Sequence, residues 1–345
     1  MMFRLLVRTT AVCLLLTAVT ACGGEAAEAP ADKAAPSIKK YAVPKFDRDS
    51  AYQFVAKQVA FGPRVPNSEA HQACKVWLVD QFKRFGATVI EQDFKAEAYT
   101  GELLNGTNII AQYNPAVRKR ILLAAHWDSR HIADSPLSTE QRDQPILGAD
   151  DGGSGVGVLL EIARQLQENP IDMGVDLILF DLEDYGESKE QYANQEEQLA
   201  SVTTWALGSQ HWAQNLHVSG YRPKYGILLD MVGAEGARFP KEEWSMRFAP
   251  SVVNKVWTLA GNMGYGSYFA DVKSGGVTDD HYFVNTLAKI PMIDIINLPP
   301  NSDNKGFGSH WHTQNDNLEV INARTLRAVG QVVLAVIYRE ASGTF

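Results

Sequence analysis

From about Phe46 onward the chain alternates two kinds of hydrophobic pattern. Short, nearly continuous apolar runs occupy residues 121–125, 175–180, 225–229 and 290–296. Runs of this length and continuity suit strands buried on both faces. Between them, residues 154–167, 204–216 and 252–263 carry apolar side chains at helical spacing, the first stopped by Asn169-Pro170, and residues 322–340 supply a terminal helix. Strands alternating with helices predict an α/β fold, a three-layer αβα sandwich around a mixed, mostly parallel twisted sheet. In such sheets ligands sit beyond the carboxyl ends of the strands, which says where chemistry is to be sought. Two insertions interrupt the alternation, at 129–147 and at 186–203, the second rich in Glu and Gln, and no internal repeat is present.

The first residues follow a different rule. Arg4 and Arg8 precede an apolar stretch at 11–19 that is too short to span a bilayer, which predicts a signal peptide over 1–21. Val19-Thr20-Ala21-Cys22 resembles a bacterial lipobox, so Cys22 is expected to be acylated and to become the first mature residue. The Ala, Glu, Pro and Lys that follow lack apolar periodicity and predict a flexible tether over 22–43, leaving 44–345 as a single domain. The product is expected to be exported and held to a bacterial membrane by its lipid. Gly23, in place of an aspartate after Cys22, leans toward the outer membrane.

Composition narrows the chemistry. The 345 residues are 45% hydrophobic and 21% charged, enough to bury a substantial core. With 32 basic and 40 acidic residues the net charge is -8, and no basic cluster follows the leader, so nucleic acid is not an expected partner. Cys13, Cys22 and Cys74 are the only cysteines and form no C-x-x-C motif, so any metal must be held by His and carboxylates. Cys74 is expected to be an ordinary thiol buried in a helix.

Polar residues stand directly after the apolar runs: His126-Trp127-Asp128, Asp181-Leu182-Glu183-Asp184 and Asp230. A glycine-rich loop, 148–155, brings Asp150 and Asp151 to a helix entrance, and Asp279-Asp280-His281 and His310-Trp311-His312 come later. Taken singly, each has a structural interpretation: a hydrogen-bonded strand-end His, an N-cap aspartate, solvated loop charge. Together they would place His and five carboxylates on one rim, where like charges repel unless a cation compensates. Oxygen and imidazole ligands without thiolate suit zinc with an open catalytic position.

The ordered series His126-x-Asp128, Gly148 to Gly155, Glu183-Asp184, Asp230 and His312-Thr313 resembles the co-catalytic zinc aminopeptidase fold. Within that clan, His126-Trp127-Asp128-Ser129, Leu229 to Ala234, Asp279-Asp280-His281 and Trp311-His312-Thr313 are similar to glutaminyl-peptide cyclotransferases, which close N-terminal glutamine to pyroglutamate with loss of ammonia. The resemblance runs from about Val59 to the C-terminus. It implies one zinc ion on Asp151, Asp184 and His312, a cis peptide at Asp151-Gly152, Glu183 as general acid/base, and Asp230 and Asp279 as the acids around it. It places Trp311, Phe307 and Val277 on the apolar pocket for the glutamine side chain. Asp184 stands where many relatives carry Glu, and the insertion leaves the counterpart of a pocket tryptophan open at Trp205. The expected substrates are peptides or exported proteins with N-terminal glutamine. The alternative is a zinc aminopeptidase with two ions, the second on His126 and Asp230, and ligand counting does not separate the two. A non-catalytic lipoprotein receptor would be expected to have lost Glu183 or a ligand, and none is lost. His71, His131, His211 and His217 read as surface or structural, His310 as loop lining, and His281 as an anchor for its loop.

Overall fold

The computed structural model describes residues 39–189 and 192–345, so the expected signal peptide, the acylation site Cys22 and most of the tether lie outside the described residues. No helix among those described is long and apolar enough to cross a membrane. Eight strands are present among the described residues: β1 (Thr88–Glu97), β2 (Leu103–Tyr113), β3 (Arg120–His126), β4 (Gly174–Phe180), β5 (Gly226–Asp230), β6 (Phe239–Lys241), β7 (Phe269–Lys273) and β8 (Met292–Ile296). The helices are α1 (Arg48–Val59), α2 (Glu69–Arg84), α3 (Gly153–Glu168), α4 (Gln195–Val202), α5 (Leu207–Gln214), α6 (Glu243–Phe248), α7 (Pro250–Asn262), α8 (Asp280–Phe283) and α9 (Ala323–Ala341).

Six strands form one sheet in the order β1-β2-β4-β3-β5-β8, and β6 pairs with β7 separately. The four apolar runs became the parallel strands β4, β3, β5 and β8. Antiparallel β1 and β2, which the apolar-run pattern did not single out, extend the sheet at one edge. β1 alternates exposed and half-buried residues, as befits an edge strand facing water on one side. Parity along β3 assigns its faces: Ile121, Leu123 and Ala125 pack with α1, α2, α3, α7 and α9, while Leu122 and Ala124 pack with Trp212 of α5 and Val284. That is the three-layer sandwich.

α3 runs directly under the sheet. Its glycines make the approach possible, since a Cβ on Gly155 would overlap the Leu229 carbonyl oxygen and one on Gly157 would lie 2.6 Å from Val55 Cγ2. Cys74 is buried in α2, as expected. Residues 39–43, assigned to the tether on composition, lie against the domain instead: Tyr41 and Val43 pack on the core and Lys39 pairs with Asp172 at 3.0 Å. Two aromatic or β-branched side chains among polar neighbours are too few to register as periodicity.

Candidate active site

The parallel strands end at one rim, and three of them hand over the site. β3 ends at His126, β4 is followed by Glu183 and Asp184, and β5 ends at Asp230. Leu182 (φ 56°), Met231 (φ 49°) and His312 (φ 54°) all adopt left-handed backbone that such residues seldom take. The first two turn the chain sharply as it leaves β4 and β5. Strain of this kind gathers at functional sites because surrounding contacts over-determine it. The Leu182 turn is held by Asp128, fully buried, whose two carboxylate oxygens accept from the Glu183 and Asp184 amides at 3.2 and 3.1 Å.

Ligand-bearing atoms converge in three groups: Asp151, Asp184 and His312; His126, Asp151 and Asp230; and Asp279, His281 and Asp294. In the first, His312 Nε2 lies 3.1 Å from Asp184 Oδ1 and 3.7 Å from Asp151 Oδ2. In the second, His126 Nε2 lies 2.9 Å from Asp151 Oδ1 and 3.3 Å from Asp230 Oδ1, so Asp151 stands between the two groups. Both Asp184 oxygens and Asp230 Oδ1 are buried without a hydrogen-bond donor. Carboxylate oxygens left so are costly unless a cation or proton meets them, and the donor set of the first group fits zinc. Asp184 reaches it despite its short side chain.

The implied cis peptide is not present: no cis bond occurs among the described residues, and the turn at this point is made by Gly152 at φ 78°. A Cβ there would come within 2.8 Å of the His126 ring, so only glycine leaves room. Asp150 points away from the cluster, bonding the Gly233 amide at 2.7 Å and His310 Nε2 at 2.9 Å. His310 is therefore a structural tie. Asp316 braces the same loop by accepting from the Asp150 and Asp151 amides at 2.8 and 3.1 Å.

His312 is oriented from behind. Its Nδ1 lies 2.9 Å from Asp134 Oδ1, and Asp134 Oδ2 accepts from Arg130 Nη2 at 2.6 Å. Burial would raise the Asp134 pKa, but His312 and Arg130 hold its carboxyl well below the usual range. Arg130, fully buried, also donates to the carbonyls of Asp184 and Gly186 at 2.8 and 3.0 Å and lies 4.6 Å from the Trp205 ring centre. Trp205 lies nearly parallel to His312 at 6.2 Å and lines the cavity, so the insertion folds over the site and leaves this tryptophan in its wall. Neither Asp134 nor Arg130 stood in a recognisable motif.

Glu183 is 8% exposed at the cavity floor. Burial pushes its pKa well above the usual carboxylate value; His126 opposes this, and Asp279, Asp184 and Asp280 add repulsion. Asp230 and Asp279 are raised too, burial again leading. Behind Asp279 lie Asp280 and Asp294, whose oxygens have no hydrogen-bond partner. His281 stays with its loop, Nε2 3.1 Å from Glu242 Oε2. Asp294 interrupts an apolar strand, and a carboxylate there was the available signal for a deeper acidic cluster.

In the same cavity, Phe307 stacks on Trp311 at 4.4 Å and Trp311 on His312 at 3.6 Å. Trp311, Met231 and Ile296 form a buried apolar patch with Val277, Leu298 and Phe307 packed on it. The cavity these walls enclose measures about 990 Å³.

Fold and site together define a class: a three-layer α/β protein with a His and carboxylate site suited to zinc beyond its strand ends. The chain belongs to peptidase family M28, whose pattern matches residues 108–337. It is similar to the Bacteroides thetaiotaomicron glutaminyl cyclase crystallised with N-acetylhistamine (48% identity, TM-score 0.82, 86% of this chain and 99% of that one). It is also similar to a zinc-dependent exopeptidase from Parabacteroides distasonis (50% identity, TM-score 0.81, 86% and 99% covered). A Drosophila melanogaster glutaminyl-peptide cyclotransferase is 26% identical over 288 residues, 76% of this chain and 73% of its own length.

Proposed function

We propose that this protein is a zinc-dependent glutaminyl-peptide cyclotransferase, converting N-terminal glutamine of peptides and exported proteins to pyroglutamate with release of ammonia. The observation that carries this reading is the aromatic clamp of Phe307 and Trp311, set beside the Asp151, Asp184 and His312 group and lining the same cavity as Glu183. A clamp of this kind packs on the methylenes of a glutamine side chain and holds it folded, which supplies much of the catalysis of an intramolecular attack.

Asp151, Asp184 and His312 would hold the metal. Zinc bound there supplies Lewis-acid polarisation of the substrate carboxamide carbonyl. Glu183 takes a proton as the α-amine forms its bond to the carboxamide carbon, and returns it to the nitrogen that leaves as ammonia. No water is consumed. A raised pKa suits Glu183 to both transfers; burial raises it most, and repulsion from Asp279, Asp184 and Asp280 adds to it. The lipid on Cys22 would hold the enzyme at the membrane, facing exported substrates, with the outer membrane favoured.

The second group, His126, Asp151 and Asp230, favours one alternative, an aminopeptidase in which a further zinc ion is held there. Mass spectrometry of a glutamine-initiated peptide incubated with the protein and with its Glu183→Gln variant separates the two. Loss of ammonia with every residue retained, absent in the variant, is the expected result. Release of free glutamine, with two zinc ions per chain, would replace the cyclase with the aminopeptidase.

A further inference from the structure

A cavity of about 990 Å³ lies at the upper end of the roughly 300–1,000 Å³ of small-molecule sites and exceeds what a single glutamine residue fills. Its outer part is built from segments the proposed chemistry does not use. Ser201 and Val202 of α4, residues 272–276 at the exit of β7, and Pro299, Pro300 and Lys305 line it.

Charge is distributed unevenly along this cleft. The floor carries Asp151, Glu183, Asp184, Asp230 and Asp279, whereas the outer wall carries Lys189, Arg238, Lys273 and Lys305 against Glu187. Lys189 is already satisfied, 3.0 Å from Glu187 and 2.6 Å from Glu197. Arg238, Lys273 and Lys305 have no carboxylate within ion-pair distance among the described residues. Arg238 donates from Nη1 only to the Ala237 carbonyl, and Lys305 only to Ser188 Oγ at 3.2 Å. Lys305 also stands 6.0 Å from the Trp311 ring, at the edge of the clamp. Three uncompensated cations line the outer part of this cleft in a chain whose net charge is -8. A low-dielectric cleft focuses such a field on whatever enters it.

Only the N-terminal residue of a peptide can occupy the clamp, and the chain that follows, rising about 3.3–3.6 Å per residue, must leave along this wall. We propose that the outer cleft is a subsite for the second to fourth residues of the substrate, and that Arg238, Lys273 and Lys305 select acidic side chains there. This rests on the floor receiving a peptide N-terminus.

The test uses two fluorophore-tagged peptides of matched shape, Gln-Asp-Glu-Asp-Gly and Gln-Asn-Gln-Asn-Gly, bound to the full-length, zinc-loaded Glu183→Gln protein and followed by anisotropy. Exposed ion pairs of this kind are each worth a factor of about two to five, so the acidic peptide should bind about tenfold tighter at low salt. Salt should compress the ratio. Combining Arg238→Ala, Lys273→Ala and Lys305→Ala should bring the ratio near one, and charge reversal to Glu at all three should invert it; because a ratio is read, partial loss of folded protein cancels. Equal binding of the two peptides overturns the subsite while leaving the cyclase intact. Binding of neither, with no N-terminal product from the unmutated enzyme, overturns the peptide reading of the floor and the subsite with it.

Discussion

Replacing Asp134 by Asn tests whether the proposed metal site is held in shape by residues outside it. Asp134 links a ligand to a buried cation: His312 Nδ1 is 2.9 Å from Oδ1, and Arg130 donates to both oxygens, at 3.1 and 2.6 Å. With the Nδ1 proton committed to Asp134, the Nε2 lone pair of His312 faces Asp151 and Asp184. Asn keeps the size and still offers an acceptor to His312, but its amide hydrogens meet the Arg130 guanidinium, donor against donor. Outer partners of metal ligands are typically worth 10–100-fold in affinity, so Asp134→Asn should weaken zinc binding by about 1.4–2.8 kcal/mol. Stability falls as well, though by less than the roughly 3–5 kcal/mol of a buried charge stripped of its partner. Arg130 keeps the Asp184 and Gly186 carbonyls and stays 3.6 Å from Asp184 Oδ1, so about 2 kcal/mol is expected. Zinc competition against a chromogenic chelator reads the first quantity, and urea unfolding of metal-free protein reads the second. Zinc affinity within twofold of the parent, with an unchanged unfolding midpoint, would refute the reasoning. The Trp311 and Trp205 rings flanking His312 would then be what orients it.

Three further outcomes follow from buried groups. Burial would raise the Glu242 pKa, but His281 and the Ser245 and Trp244 amides bring it down to about 2. A depressed carboxylate stabilises above its unfolded pKa and loses that contribution as pH falls, so on the order of 3 kcal/mol should disappear between about pH 4.5 and 2. Glu242→Gln should flatten acid unfolding across that window, and an unchanged acid limb would count against the assignment. Burial pushes the Cys74 thiol up to about 12, so a thiol reagent at neutral pH should leave Cys74 unlabelled in native protein and modify it in denaturant, read by peptide mapping; rapid native labelling of Cys74 would place it at the surface. Gly155→Ala drives a Cβ into the Leu229 carbonyl and within 2.9 Å of Ala125 Cβ, so overpacking should cost about 1–3 kcal/mol by urea titration. A neutral result would mean that α3 can move off the sheet freely.

The fold was legible where burial is two-sided. A strand covered on both faces must be apolar throughout, so β3, β4, β5 and β8 stood out as runs, and α3, α7 and α9 as periodic stretches between them. β1 carries Thr, Gln and charged residues on a surface shared with water, while β2, though mostly buried, breaks its apolar positions with Asn, Gly, Thr and Gln, so neither forms a run. The 186–203 insertion read as polar filler because α4 is largely exposed. Its role lies in covering the cavity, a tertiary matter that local pattern does not encode.

The site divides along a similar line. The proposed ligands and proton carriers must present oxygen or nitrogen to one point, and that demand falls on few residue types at strand ends and in the loops beyond them, so Asp151, Glu183, Asp184, Asp230 and His312 could be singled out together. The residues that aim them face no such restriction. Arg130 holds two carbonyls and a carboxylate from within a loop, and Asp316 braces two amides across a separation of 165 and 166 residues. Leu182 and Met231 take left-handed backbone although neither belongs to the types that favour it. Surrounding hydrogen bonds impose that geometry: the Leu182 turn exists because Asp128 captures the two amides that follow it. The strain is thus a property of the assembled rim, and removing Asp128 should release Glu183 and Asp184 from their shared orientation before it disturbs any strand.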